Sequence, residues 1–235
     1  MLFYLAPMEG ITGYIVRNAY AHYFPYIDKY FTPFIPAAKK MSKKIKRDLA
    51  AENNEQIRLV PQLIGNRADE FLMMIRQLEE LGFTSVNLNF GCPSGTVVSK
   101  RKGAGFLADP KELEMLLEEV LENSPLAVSV KTRVGIKDPD EWEALCGVYA
   151  KFPLEELIIH PRLQNDYYSG TPRMETFARA LEQIHVPLCY NGDICSVEDY
   201  KKVTADFPAI DRIMIGRGLL ENPGPVSYTH LRAHE

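Results

Sequence analysis

The run Phe3-Tyr-Leu-Ala-Pro-Met-Glu-Gly10 decides between the two folds open to this chain. It is a short apolar strand that ends in Pro-Met-Glu-Gly, with no GxGxxG turn behind it. An open, doubly wound sheet usually carries that turn after its first strand, whereas a closed barrel needs none. Strands of the buried Val/Ile/Leu type are predicted at residues 3–8, 29–35, 59–64, 85–89, 126–132, 156–160, 187–191 and 212–215. Helices are predicted near 12–23, 42–54, 140–151, 174–184 and 197–206. Two more follow from the apolar stripes Leu72, Ile75, Leu78, Leu81 and Leu113, Leu116, Leu117, Val120. Asp109-Pro110 and Asp138-Pro139 each read as a capping Asp ahead of a first-turn proline. Ser196 and Asp199 have the spacing of a capping box. A strand then a helix, seven times, followed by an eighth strand, predicts an α/β chain folded as a (β/α)8 TIM barrel, with the open sheet as the alternative.

The 235 residues are 46% hydrophobic and 25% charged, with 15 Gly, 16 Pro and 4 Cys. That composition excludes disordered, collagen-like and disulfide-stapled classes. No apolar run approaches the roughly 18 residues needed to cross a bilayer. The first residues lack a basic segment and soon meet Glu9 and Arg17, unlike a signal peptide. Cys92, Cys146, Cys189 and Cys195 form no CxxC pair, which points to a reducing, cytoplasmic setting and to no metal site. The net charge of −4 argues against binding nucleic acid by bulk charge, but allows a local basic stripe. Residues 226–235 (VSYTHLRAHE) show neither period nor cap and resemble translated sequencing-adapter read-through. One catalytic domain over 1–225 is therefore expected, followed by a non-native tail and lacking the barrel's final helix.

Active sites of such barrels lie at the C-terminal ends of the strands. There the sequence offers Pro7, Met8 and Glu9, then Gln62, then Asn87, Asn89, Gly91, Cys92 and Pro93, then Lys131 and Arg133, then His160 and Arg162. Asn191-Gly-Asp193 and Gly216-Arg-Gly218 follow the last two strands. Each has an ordinary reading as a solvated lysine, a turn or a buried histidine. Together, the last two occupy the phosphate position of many barrels, with glycine N–H groups and the Arg217 fork. Lys131 would be a cation held for an anionic group. An unperturbed thiol has a pKa of about 8.5, so Cys92 fits a general acid at neutral pH without special tuning. Nothing near it supplies the paired base that a nucleophile needs. Two basic runs, Lys39 to Arg47 and Lys100-Arg-Lys102, would rim one mouth and suit a polyanion.

In order, Ala6-Pro-Met-Glu-Gly10 with Thr12, Gln62-Leu63, Val86-Asn-Leu-Asn-Phe-Gly-Cys-Pro93, Gly103-Ala-Gly105 with Leu107, Val130-Lys-Thr-Arg-Val-Gly135, His160-Pro-Arg162 with Tyr168 and Gly170, Asn191-Gly-Asp-Ile194, and Met214-Ile-Gly-Arg-Gly218 with Asn222-Pro223 resemble the tRNA-dihydrouridine synthase family. The resemblance implies an FMN-containing barrel, reduced by NADPH, that converts a tRNA uridine to 5,6-dihydrouridine. It implies Pro7, Met8 and Gln62 against the isoalloxazine ring, with Glu9 in the same cofactor site. Lys131 would face the ring's N1/O2 edge with His160 beside it, and Asn191, Gly192, Asp193, Gly216 and Arg217 would hold ribityl and phosphate. Asn89 would bind the uracil, and Cys92 would protonate C5 as the flavin N5 delivers hydride to C6. Arg133, Arg162, Lys100 and Arg101 would hold substrate, with the nucleotide flipped into the mouth. The chain departs from the family pattern at Pro161 and Asp166, where Gly and Gln are usual, and it lacks the family's C-terminal helical domain. A monomer with tRNA as its partner, no obligate protein partner and no membrane association is expected.

Two other readings remain open at this point. A dihydroorotate-dehydrogenase-like FMN barrel acting on a free pyrimidine explains Lys131 and a phosphate site, but not two basic rims. A non-catalytic RNA-binding module needs neither Cys92 nor Lys131, and would be colourless when purified.

Overall fold

A computed structural model describes residues 1–224, so the tail expected at 226–235 lies outside the described residues. Along the chain run β1 (Leu2–Leu5), α1 (Tyr14–Tyr23), β2 (Lys29–Phe31), β3 (Ile35–Pro36), α2 (Lys43–Leu49), β4 (Leu59–Val60), β5 (Gln62–Ile64), α3 (Ala68–Glu80), β6 (Ser85–Phe90) and α4 (Gly95–Val98). Then come α5 (Pro110–Asn123), β7 (Ala127–Arg133), α6 (Glu141–Tyr149), β8 (Leu157–His160), α7 (Met174–Gln183), β9 (Leu188–Asn191), α8 (Val197–Asp206), β10 (Arg212–Ile215) and α9 (Arg217–Glu221).

All eight predicted strands form, and two of them are broken into pairs. The second splits into β2 and β3, and the third into β4 and β5, where Pro61 has no N–H to give the ladder. Thr32, in the matching gap of its neighbour, fills in by accepting the Gln62 N–H at 2.9 Å. Every pairing is parallel, and the ends of the sheet meet: β2 pairs β4 and β3 pairs β5, while β1 pairs both β10 and β2. With eight strand positions each having two neighbours, the sheet is a closed barrel.

Closure sends every second side chain inward. Tyr4, Phe31, Val60, Ile158, Cys189 and Met214 make a separate apolar cluster inside the ring. The alternate residues, such as Phe3, Leu88, Val130, Ile159 and Ile213, join the larger core beneath the helices. Two residues before the inner cluster on their own strands, Lys29, Glu156 and Arg212 fill the bottom of the barrel. Buried Glu156 accepts hydrogen bonds from Lys29 Nζ at 2.7 Å, Tyr4 Oη at 2.9 Å and Arg212 Nη1 at 3.2 Å. Two residues beyond the same cluster, the inward positions are Ala6, Gln62, His160, Asn191 and Gly216.

Most helix signals are kept. Asp109 accepts the N–H groups of Lys111 and Glu112, with Pro110 at the first position of α5. Ser196 and Asp199 form the expected reciprocal box. Three expectations shift. Asp138 accepts the Asp140 N–H at 3.0 Å, so it closes the turn before α6, whose own N-cap is Asp140. The buried face of α3 is Phe71, Met74, Ile75 and Leu78, while Leu81 sits at the C-cap, exposed. The helix expected over 42–54 ends at Leu49, because the carbonyls of Asp48 and Ala50 accept from the Asn54 side chain. After β10 the described chain forms the five-residue α9.

Removing one member of a buried ion pair leaves its partners charged and unpaired, at a cost of about 3–5 kcal/mol. Glu156→Ala is therefore expected to lower the unfolding free energy by about that amount. A urea midpoint indistinguishable from wild type would contradict the role given to this cluster.

Candidate active site

The mouth of the barrel is assembled from the loops that follow β1, β6, β8, β9 and β10. The turn after β1 is closed by Thr12, whose Oγ1 accepts the Met8 N–H at 2.8 Å and whose N–H donates back to the Met8 carbonyl. Pro7 and Met8 are thereby held half-buried at the rim, and Glu9 is exposed beside them. Arg17, wholly buried in α1, reaches the Thr12 carbonyl at 2.8 Å, Asp48 Oδ2 at 3.0 Å and Asn54 Oδ1 at 2.8 Å. It ties this turn to α2, which carries part of the basic run. Nothing local in the sequence marks Arg17, because its partners lie 31 and 37 residues away.

The Cys92 loop is clamped from several sides. Asn89 Oδ1 accepts the N–H groups of Gly91 at 3.0 Å and Cys92 at 2.9 Å. The Cys92 carbonyl accepts from Ala104 N–H. Gly103 has φ of +55°, and a Cβ there would come within 2.8 Å of the Cys92 carbonyl oxygen. Arg133 Nε donates to the Gly91 carbonyl at 2.9 Å, and Gln164 Nε2 to the Pro93 carbonyl at 3.2 Å. The thiol is half-buried. Burial pushes it above its ordinary range, against the opposing pull of the Ser94 backbone hydrogen bond, Arg133 and Lys131. It is thus protonated at neutral pH, the state a general acid needs.

Asn89 pairs directly with Lys131 across β6 and β7, and Asn87 with Ser129. The Lys131 ammonium has no hydrogen-bond or ion-pair partner among the described residues, unlike Lys29 at the other end of the barrel. Burial, then the nearby Arg133, pulls its pKa down to about 8. A cation kept without a counter-ion in a low-dielectric mouth is a site waiting for an anion.

His160 is held neutral, its pKa pushed down by burial and then by Lys131, Arg133, Arg162 and Arg217. Arg162 Nη1 lies 3.2 Å from His160 Nε2. A guanidinium can only donate, so Nε2 accepts and the ring proton sits on Nδ1. Asn191 donates to the Met214 carbonyl at 2.8 Å, bridging the last two strands. Gly192 lies against the Tyr190 hydroxyl, 3.0 Å from where a Cβ would stand. Asp193 is bonded to Arg162 Nη1 at 2.8 Å and lies 3.7 Å from Arg217. Gly216 caps α9. Arg217, half-exposed, stacks 4.5 Å from the Tyr168 ring centre and keeps free donors at the rim.

Four residues expected to meet substrate have different settings. Arg133 is 1% exposed, and its three nitrogens donate to the carbonyls of Gly91, Leu163 and Tyr167. Arg162 is fully buried and bonded to the Ser169 and Gly170 carbonyls and to Asp193. Both brace the loops of the mouth. Arg101 pairs with Glu112 on α5, and Lys100 is exposed at the rim, its carbonyl accepting from Asn66. Gln62 is fully buried, with both ends of its amide bonded to Asn87 and Asn89. Asp166, one of the family departures, pairs with Arg173 and accepts the Leu163 N–H at 2.8 Å.

Among the described residues no helix is long and apolar enough to cross a membrane. In overall shape the chain is similar to morphinone reductase in complex with tetrahydroNAD, with a TM-score of 0.67 at 12% identity, covering 98% of this chain and 86% of that one. It is also similar to a variant of NCR from Zymomonas mobilis, with a TM-score of 0.62 at 12% identity, over 98% and 86% of the two chains. At such identity the likeness is one of fold. In sequence the chain is 32% identical over 228 residues to a tRNA-dihydrouridine(16) synthase of Pseudomonas putida, covering 93% of this chain and 70% of that protein. It is 30% identical over 223 residues to tRNA-dihydrouridine synthase B of Pasteurella multocida, covering 94% and 66%. The chain thus spans about two thirds of the length of these relatives. The model described as dihydrouridine synthase matches residues 4–235, nearly all of the barrel and mouth just described, and the chain belongs to that family.

Proposed function

We propose that this barrel reduces a uridine of tRNA to 5,6-dihydrouridine, with FMN as its resident cofactor and NADPH as the reductant. The observation that carries the reading is the pairing, on adjacent strands, of a partly buried cation without a partner among the described residues and a clamped, protonated thiol. The residues present fit FMN. Lys131 is an inward cation without a counter-ion, and the free donors of Arg217 stand beside Gly216 and Gly192. When bound, FMN would supply a hydride to C6 of the uracil ring.

The rest is the work of the chain's own side chains. Lys131 would hold negative charge on the flavin, and Arg217 with the Asn191–Asp193 loop would hold its phosphate. Cys92 gives its proton to C5, and the Asn89 clip keeps the thiol loop at a fixed distance from Lys131. Neutral His160 offers an Nδ1–H donor beside them. Lys39, Lys40, Lys43, Lys44, Lys46, Arg47 and Lys100, all exposed, would neutralise tRNA phosphates around the mouth. Such a reaction on tRNA belongs in the cytoplasm.

The direct test is dihydrouridine formation in tRNA by the yellow, FMN-loaded protein. Turnover of free uridine or orotate with none on tRNA would overturn the reading. Cys92→Ala is expected to lower turnover by about 10²–10⁴-fold with FMN absorbance retained. The wild-type rate is expected to fall only at alkaline pH, as the raised Cys92 thiol ionises, so a rate that rises there would remove the acid role. For Lys131, burial lowers the pKa to about 8, so the cation is present below that pH and lost above it. FMN affinity of the apoprotein, followed by fluorescence quenching, is expected to weaken as pH rises through about 8, and Lys131→Met to abolish that dependence. Replacing Lys43 and Lys44 by Gln is expected to lower the slope of log affinity for tRNA against log salt by about 0.7–0.9 for each phosphate no longer neutralised. An unchanged slope would exclude α2 from the tRNA surface.

A further inference from the structure

The Asn89 clip continues into the barrel interior as a hydrogen-bond chain that none of the roles above requires. It starts at the Cys92 loop, where the N–H groups of Gly91 and Cys92 donate to Asn89 Oδ1. Asn89 Nδ2 donates to Gln62 Oε1 at 2.8 Å, and Gln62 Nε2 to Asn87 Oδ1 at 2.8 Å. Asn87 Nδ2 donates to Ser129 Oγ at 2.9 Å, and the Ser129 hydroxyl donates to the Val86 carbonyl at 3.1 Å. Gln62, Asn87 and Ser129 are 0% exposed, and Asn89 is 6% exposed.

The direction of this chain is not free. A side-chain amide can turn over and exchange its donor and acceptor ends. Here both ends of the chain are main-chain groups that cannot. At one end, two backbone N–H groups can only donate. At the other, the Ser129 hydroxyl gives its hydrogen to a backbone carbonyl, which can only accept, and its oxygen takes the Asn87 hydrogen. Each amide between them is left with one orientation. Turning any one over sets two donors against each other and two acceptors against each other in a buried place, where unsatisfied polar groups are costly. Asn89 Oδ1 is already saturated by two N–H groups, and one N–H of its amide is used on Gln62. What remains at the mouth is the second Nδ2 hydrogen, a donor.

We propose that Asn87 and Ser129 are positioning residues that, through Gln62, fix the Asn89 amide so that its oxygen holds the Cys92 loop and its nitrogen offers a donor to the mouth. This rests on the reading of the mouth as a uridine site. There the donor matches a carbonyl oxygen of the base and mismatches the exocyclic amino group that cytosine carries in its place.

The experiment is amide hydrogen exchange at Gly91 and Cys92 in the flavin-free protein, with the amides of β6 and β7 as internal reference. Asn87→Leu and, separately, Ser129→Ala are expected to speed exchange at Gly91 and Cys92 by about tenfold or more, with the reference amides within about twofold. Ser129→Thr, which keeps a hydroxyl between Asn87 and the Val86 carbonyl, is expected to keep wild-type protection. The alkylation rate of Cys92, measured against exposed Cys195 in the same chain, should change with the same pattern. Asn89→Asp removes the donor that serves Gln62 and the mouth while an oxygen still faces the loop amides, and turnover on tRNA is expected to be lost. Exchange that does not change in either Asn87→Leu or Ser129→Ala, that rises equally along β6 and β7, or that rises as much in Ser129→Thr, would overturn the positioning role. Retained turnover in Asn89→Asp would overturn the donor. Because the exchange arms use protein alone, failure of the wild-type chain to act on tRNA would count against the proposed function and leave the exchange result standing.

Discussion

Closing eight parallel strands on themselves leaves one destination for every second side chain, the inside of the ring. The rest of this molecule depends on that constraint. The interior is narrow, so its contents form layers of distinct chemistry along the strands. A buried carboxylate with three donors plugs the bottom, an apolar cluster fills the middle, and polar and cationic groups reach the top. Because Asn87 and Asn89 are two apart, as are Ser129 and Lys131, whatever the middle layer holds fixed is passed directly to the residues of the mouth.

The two ends of the barrel treat charge in opposite ways. At the bottom, Glu156 is satisfied by Lys29, Tyr4 and Arg212, so its charge is a structural element. At the top, Lys131, Arg133, Arg162 and Arg217 act together on one neutral histidine. Arg133 and Arg162 spend their donors on loop carbonyls and Asp193, which makes the mouth rigid and leaves it positive. Of these four, Lys131 and Arg217 keep capacity for an outside group. Rigidity and unspent positive charge are what a site needs to hold an anionic cofactor and to stabilise charge that develops during reaction.

Much of this was legible from residues alone. Eight apolar runs of strand length, Asp109 before Pro110, and the Ser196–Asp199 spacing are local signals, and local sterics and capping enforce them wherever the chain goes. The functional loops were legible for a related reason. They follow strand ends, and in a parallel barrel all strand ends of one kind share one face. Asn87 with Asn89, and Ser129 with Lys131, stand two apart, so alternation along an extended strand puts each pair on one face. What the alternation could not show is that the two pairs sit side by side, since that is a matter of register between strands about forty residues apart.

Arginines mark the limit most clearly. Arg133, Arg162 and Arg217 look alike in sequence, each just past a strand and next to glycine or proline-bearing loops. Burial separates them: the first two are consumed as braces and the third remains available at the rim. Arg17 carries no signal at all, because its meaning lies in Asp48 and Asn54 on another element. Sequence by itself determined the strands, the helices, the face on which the chemistry gathers and the family to which the motifs point, since these follow from short-range sterics, periodicity and order along the chain. Which cations are spent and which are free, and which way each amide of the inner chain faces, was decided only by tertiary structure. Those properties depend on what lies across a gap of about 3 Å, and the groups on either side of it come from distant parts of the chain.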